Sequence, residues 1–302
     1  MGKLGIFVDR QTLSSSVQLI SLIKFRDEAE NMGHQAYFIF PTEIKKISGL
    51  DGLFIRSRTD SMNISYVAAR IAELNGVPVI DDPTSIRICS DKVNMYLHLM
   101  KKDVPMPKTI FIKKGEVTLE NLEEIFKMFN PPMILKEPST SFSARVERVY
   151  TKEEFIKVSR RFIKLSDWVV VQEYIDSKFD WRIGVLDGEL LYACKYIIPN
   201  ETFKIQASVN GHLVYCDVVS VPKEEVPQDI IDLGIRAGNA IGNGLYGVDI
   251  KENNGSLYVI EVNDNPSLDG GEDISYPDIY EKIIGCIMNR GKNTQNINLS
   301  TK

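Results

Sequence analysis

The chain has 302 residues, 43% hydrophobic and 25% charged, enough apolar material for two or three small cores in a soluble globular protein. Its net charge of -5 argues against a surface for nucleic acid or anionic membrane, and no apolar run approaches a membrane span. Cys89, Cys194, Cys216 and Cys286 show no C-x-x-C spacing and only three histidines occur, so neither a disulfide framework nor a zinc or histidine-rich metal centre is expected.

The first apolar run, Leu4–Val8, reads as a strand and not as a signal peptide, and Ile6 stands where a myristoylation signal requires Ser or Thr. A cytoplasmic protein is the expectation. Serines 14–16 can cap a helix that runs to about Met32 and stops at Gly33. Ala36–Phe40 and Leu53–Ile55 are further strands, a helix covers Ile64–Leu74, and Val79-Ile80 starts the next strand. Strands alternating with helices imply a parallel sheet with right-handed crossovers, so residues 1–88 form an amino-terminal α/β unit that closes near Asp81-Asp82-Pro83.

A helix over Ser90–Lys101 ends before Pro105 and Pro107, which cannot continue it. The middle unit, 89–174, continues with strand Thr109–Ile112, helix Leu119–Phe129, strands Met133–Lys136 and Arg145–Tyr150, helix Lys152–Lys164 and strand Trp168–Gln172. The third unit, 175–290, carries a hairpin of Trp181–Leu186 and Glu189–Tyr196, a strand Leu213–Val219 and a helix near Gln228–Ile241. Strands Leu245–Lys251 and Leu257–Asn263 follow, joined through Asn253-Asn254-Gly255, a strong turn signal, and a last helix spans about Ile279–Asn289. The polar residues 291–302 read as a disordered tail.

That last hairpin is the most informative segment. Residues two apart on a strand share a face, so Glu261 and Asn263 point the same way, and the turn brings Asp249 opposite or diagonal to Glu261. Val248, Ile250, Ile260 and Val262 then face the core. Two opposed carboxylates repel, and a hard divalent cation removes that cost with oxygen ligands from all three polar side chains. The same residues also suit a solvated polar face on an edge hairpin, so the pattern alone leaves both readings open.

Asp249 with Glu261-Val262-Asn263-Asp264-Asn265-Pro266 resembles the magnesium signature of ATP-grasp enzymes, in the branch of glutathione synthetase and the RimK-type glutamate ligases. The likeness continues upstream in order through Ser90-Asp91-Lys92, Ile134-Leu135-Lys136, Gln172-Glu173-Tyr174-Ile175 and Asp180-Trp181-Arg182-Ile183-Gly184. It covers most of residues 50–285 and implies an ATP-grasp fold: a parallel α/β unit followed by two α+β lobes that clamp ATP between them. It further implies ATP and Mg²⁺ as cofactors (Mn²⁺ as substitute), with Asp249, Glu261 and Asn263 as metal ligands. Lys92 and Lys136 are then the lysines on the ATP phosphates, Gln172, Glu173, Tyr174 and Ile175 the adenine hinge, and Asp180 the acid on the ribose hydroxyls. Arg182 and Lys195 match catalytic cations on the transferring phosphoryl group. Arg56 and Arg58, at a strand end of the parallel sheet, are candidates to hold a substrate carboxylate, with Lys204 and Asn265 as further substrate contacts.

The expected reaction is ATP-dependent C–N ligation of a small-molecule, peptide or protein carboxylate with an amino acid such as glutamate, through an acyl phosphate; association into homo-oligomers is also expected. Two loops depart from the family. The phosphate loop Pro138–Ala144 contains no glycine, and Phe203–Gly211 has one lysine and no arginine. These departures keep two alternatives in view, a regulatory ATP-binding module that has lost ligation and an ATP-grasp kinase.

Overall fold

Apolar strands alternating with capped helices open the computed structural model, which describes residues 1–302 except 141–143, 200–201, 205, 210–211, 269 and 301–302. Strands β1 (Lys3–Phe7), β2 (Gln35–Ile39), β3 (Gly52–Ile55) and β4 (Val79–Ile80) form a parallel sheet in the order β2-β1-β3-β4. Between them run helices α1 (Arg10–Ser14), α2 (Ser16–Asn31) and α3 (Ile64–Leu74). Side-chain oxygens of Ser15 and Asn63 accept from the first free amides of α2 and α3.

Two helices lead out of this unit, α4 (Pro83–Cys89) and α5 (Lys92–Lys101). The first is absent from the sequence reading. Asp82 caps it through the Thr84 and Ser85 amides, and Pro83 occupies its first turn. Asp-Pro is a helix-start signal as well as a boundary signal.

The middle unit contains β5 (Thr109–Lys113), α6 (Leu119–Met128), β6 (Met133–Lys136), β7 (Val146–Val149), α7 (Lys152–Phe162) and β8 (Trp168–Glu173). Its strands pair antiparallel in the order β5-β8-β6-β7. Helix α7 opens with a Thr151/Glu154 capping box and buries Phe155, Val158 and Phe162, one face at helical spacing, against Val149, Val169 and Val171. Each such side chain contributes roughly 1.5–3 kcal/mol by leaving water.

The carboxyl-terminal unit is built on a five-stranded antiparallel sheet. Its strands are β9 (Phe179–Leu186), β10 (Glu189–Ile197), β13 (Asp217–Ser220), β14 (Leu245–Asn253) and β15 (Ser256–Asp264), in the order β13-β10-β9-β14-β15; a separate pair, β11 (Gln206–Val209) with β12 (His212–Tyr215), stands apart. The single strand expected over Leu213–Val219 is therefore two strands in different sheets, divided at Cys216. Helix α8 (Gln228–Ile241) packs on one face, with Gly234 against Ile183 and Gly238 against Val185.

Helix α9 runs Ile279–Ser300, so a helix continues where the disordered tail is expected; no proline interrupts the segment. Among the described residues no helix is long and apolar enough to cross a membrane.

Candidate active site

Asn254 and Gly255 both have positive φ (51° and 75°), the requirement of a tight two-residue hairpin turn. From that turn β14 and β15 pair Asn253 with Ser256 and, in regular steps, Ile250 with Val259. Continued without interruption, this register would place Asp249 opposite Ile260. A bulge intervenes, and Asp249 instead pairs with Glu261 and Gly247 with Asn263. The two carboxylates are thus directly opposed, as the sequence implies. The extra residue, Ile260, is only partly buried and lines a cleft, whereas Val259 is fully buried; the expectation that Ile260 faces the core is corrected by the bulge.

Across β14 lies Arg182 of β9, in register with Asp249. Its Nε and Nη2 donate to Oδ1 and Oδ2 of Asp249 at 2.5 and 3.0 Å, with 5% and 6% of the two residues exposed. Burial pushes the Asp249 carboxyl up to about 6, against the guanidinium that holds it charged. The Asn263 amide donates to Asp249 Oδ2 at 3.3 Å.

Two lysines enter from the middle of the chain. Lys92, at the start of α5, lies 2.9 Å from Glu261 Oε1 and also donates to the Thr140 carbonyl. Lys136 ends β6 and donates to the Tyr96 hydroxyl at 2.7 Å. Lysines are seldom buried unless paired, yet these are 3% and 4% exposed. Burial pulls Lys136 down to about 8, against the neighbouring Glu261, Asp249 and Asp180. Burial alone would raise Glu261, but Lys92 and then Lys136 outweigh it and hold that carboxyl below its ordinary value.

Two clefts meet at the Asp249–Glu261 pair, which lines both. One is polar, with Arg58, Ser90, Ser139, Thr140, Arg182, Asn263, Asp264 and Asn265 in its walls. The other is apolar-walled, bounded by Ile134, Ile175, Ile260, Tyr174 and Phe203, with Lys136, Gln172, Glu173, Asp180 and Lys204 among its polar groups. Glu173 uses its backbone N–H on the Lys108 carbonyl at 2.9 Å, so that amide is already engaged. Asp180 accepts from Lys251 Nζ at 2.5 Å. The expected substrate residue Lys204 stands in this second cleft, not beside Arg58.

Arg56 does not line either cleft. It donates to Asn265 Oδ1 at 2.6 Å and to the Pro266 carbonyl at 2.9 Å, bracing the loop after β15. Asn265 is locked further by its amide to Ser57 O and its backbone N–H to Asp81 Oδ2. Lys195 is on the wrong face. A bulge between Leu190 and Tyr192 shifts the hairpin by one, pairing Cys194 with Arg182 and Lys195 with Trp181. Its ammonium stands 4.5 Å from the Trp181 ring centroid and 4.8 Å from that of Phe179, outside both clefts.

The RimK-like ATP-grasp domain family matches residues 89–287. The chain belongs to that family. It is 28% identical over 238 residues to the glutamate–LysW ligase ArgX of Sulfolobus acidocaldarius, covering 77% of this chain and 80% of that one. It is 28% identical over 224 residues to the tetrahydromethanopterin:alpha-L-glutamate ligase of Methanocaldococcus jannaschii, 70% of each. In fold it resembles the D-alanine–D-alanine ligase from Bacillus anthracis, with a TM-score of 0.73 at 19% identity over 98% of this chain and 99% of that one. A RimK-domain ATP-grasp protein from Sphaerobacter thermophilus gives 0.69 at 17% identity, covering 94% and 98%.

In this ATP-grasp protein two site residues, Tyr96 and Lys251, lie outside the sequence motifs, and a third, Asp264, lies inside one without a role read for it. Tyr96 is fully buried with its hydroxyl on Lys136, and Lys251 neutralises Asp180. Asp264 lines the polar cleft with Oδ2 lacking a hydrogen-bond partner, and burial beside Asp81 pushes its carboxyl up. Lys92 and Tyr96 stand four apart on α5, a helix-face relationship that offered a signal for the tyrosine. Of the two departing loops, residues 141–143 and 205, 210 and 211 lie outside the described residues. Among the described residues no group of three or more His, Cys, Asp or Glu side chains is arranged to hold a metal, since the hairpin offers two carboxylates and an amide.

Proposed function

We propose that this chain is an ATP-dependent carboxylate–amine ligase that joins an amino acid, glutamate foremost, to a carboxylate on a small molecule, peptide or protein. The observation that carries the reading is the convergence of Lys92, Lys136 and Arg182 on the opposed Asp249–Glu261 pair where the two clefts join. The apolar-walled cleft suits a purine, with Tyr174 and Ile175 beside it and Asp180 toward a ribose. The polar cleft suits the substrates, with the exposed Arg58 guanidinium for a carboxylate.

The donor chemistry fits a hard cation. Asp249, Glu261 and Asn263 would hold Mg²⁺ or Mn²⁺ through oxygen, and the ion would supply positive charge against the nucleotide's phosphates. Arg182 and Lys92, which neutralise those carboxylates in the free protein, would then turn their charge to phosphate oxygens. In the reaction the substrate carboxylate takes the γ-phosphoryl group to give ADP and an acyl phosphate. The amine attacks that carbonyl and inorganic phosphate leaves. Lys136 and Arg182 stabilise the spreading negative charge, and the closed lobes exclude water from the acyl phosphate. Lys195 has no part in this scheme.

The experiment is phosphate release from MgATP with pooled amino acids and carboxylic acids, with Glu261→Ala as control. Release that needs both an acid and an amine and vanishes in the variant supports the ligase. A phosphorylated product that accumulates would make the protein a kinase, and tight MgATP binding without turnover would make it a regulatory module.

A further inference from the structure

Through one polar atom, Tyr96 of α5 joins β6 of the middle unit to the β14–β15 hairpin. Its ring is fully buried and its hydroxyl faces three groups. Lys136 Nζ of β6 donates to it at 2.7 Å. The hydroxyl proton goes to the Ile260 carbonyl of β15, also at 2.7 Å, while Gln172 Oε1 lies at 3.5 Å. Ile260 is the bulge residue, and the bulge is what sets Glu261 opposite Asp249. One hydroxyl therefore accepts from the lysine of one lobe and donates to the segment that fixes the carboxylates of the other.

The hydroxyl is well matched to this duty. It has one donor and spare acceptor capacity, so it can receive an ammonium and bond a carbonyl at the same time. Burial raises its ionisation far above neutrality, so it remains a neutral donor. Phenylalanine would fill the same space and do neither. A lysine on a long flexible stem needs such a fixed acceptor if its charge is to stand at one place.

We propose that Tyr96 is a positioning residue for nucleotide binding, which acts by holding Lys136 in register with the bulge at Ile260. The inference rests on the reading that ATP phosphates lie against Lys136, and its test separates the two. MgATP affinity is measured by calorimetry for the full chain, for Tyr96→Phe, for Lys136→Met and for the double variant, with a melting temperature for each. Tyr96→Phe is expected to weaken MgATP roughly tenfold, the loss of one hydrogen bond to a charged group. In the Lys136→Met background the same change is expected to cost less than about twofold, because the residue acts through that lysine. Equal losses in both backgrounds, or an unaltered affinity in Tyr96→Phe, would overturn the proposal. If Tyr96→Phe does not fold, 4-aminophenylalanine incorporated at position 96 keeps the bond to the Ile260 carbonyl while accepting poorly from an ammonium. It is expected to weaken MgATP with the melting temperature preserved, and unchanged affinity would again overturn the proposal. Failure of the unmodified protein to bind MgATP at all would instead remove the nucleotide reading itself.

Discussion

Arg182 and Asp249 face each other in register on adjacent strands and form a two-point ion pair that is almost fully buried, at 2.5 and 3.0 Å. Such a pair is not in itself a large net stabiliser, because both groups lose hydration; removing one partner, however, strands the other charge. Arg182→Met is therefore expected to lower unfolding stability by about 3–5 kcal/mol in urea titrations. Arg182→Met with Asp249→Leu should recover most of that loss, since no buried charge is left. Both proteins are expected to lack ligase turnover, which distinguishes the pair's chemical duty from its structural cost. A double variant as unstable as the single one would show that packing, not the stranded carboxylate, sets the penalty.

Glu261 exchanges partners in this scheme, from Lys92 in the free protein to a metal in the complex. At a hundredfold excess of MgATP over its dissociation constant the wild-type protein should gain about 2.7 kcal/mol of stability. Glu261→Gln retains the shape and one oxygen but loses the charge, so its gain should shrink to that given by ATP with a chelator. Thermal melts with Mg²⁺, Mn²⁺ and EDTA measure it. Full metal-dependent stabilisation in Glu261→Gln would exclude this carboxylate as a ligand.

The hairpin was legible because Asn254-Gly255 admits few conformations other than a tight turn, and the alternation beyond it placed Asp249 near Glu261. What could not be read was the extra residue in each hairpin. A bulge moves every later side chain to the other face, and nothing in Leu190-Leu191-Tyr192 or Val259-Ile260-Glu261 marks which residue is extra. In one hairpin the bulge gave Glu261 to the cleft and turned Ile260 out of the core. In the other it took Lys195 away. Arg56 was legible as a strand-end cation but not as a brace, because its partner Asn265 is 209 residues further along the chain. The parallel sheet and the serine cap of α2 were legible in local signals, whereas the short helix Arg10–Ser14, capped by Asp9, was not, and Asp82-Pro83 served two local meanings at once.

Gly184 stands beside Arg182's neighbour Ile183 on β9, and a Cβ built there would lie 2.2 Å from the Tyr192 ring. That ring is fully buried and its hydroxyl donates to the Ser267 carbonyl at 3.3 Å, so it cannot swing aside into solvent. Gly184→Ala is expected to cost about 1–3 kcal/mol by overpacking, read as a lowered urea midpoint with an unchanged slope. Because Ser267 lines the polar cleft, the displaced ring should also raise KM for the acid or amine more than for ATP. Wild-type stability in this variant would mean that the Tyr192 side of the sheet yields more readily than its burial implies.

Lys136 carries opposite pH dependences for binding and for stability, and the signs separate them. Burial pulls its folded pKa down to about 8, below the value of roughly 10.4 in an unfolded chain. Between those values the unfolded state binds more protons, so this lysine's contribution to stability grows as pH rises from 8 toward 10. Its attraction for phosphate does the reverse, since the neutral amine above pH 8 offers no charge. In kcat/KM for ATP, which reports the free enzyme, the wild-type protein should fall up to about tenfold per pH unit above 8. Lys136→Met should start lower and lose that limb, while being more stable than wild type at pH 7, where the buried ammonium is otherwise carried at a cost. An alkaline limb that survives unchanged in Lys136→Met would assign the titration to another group and remove Lys136 from the phosphate site.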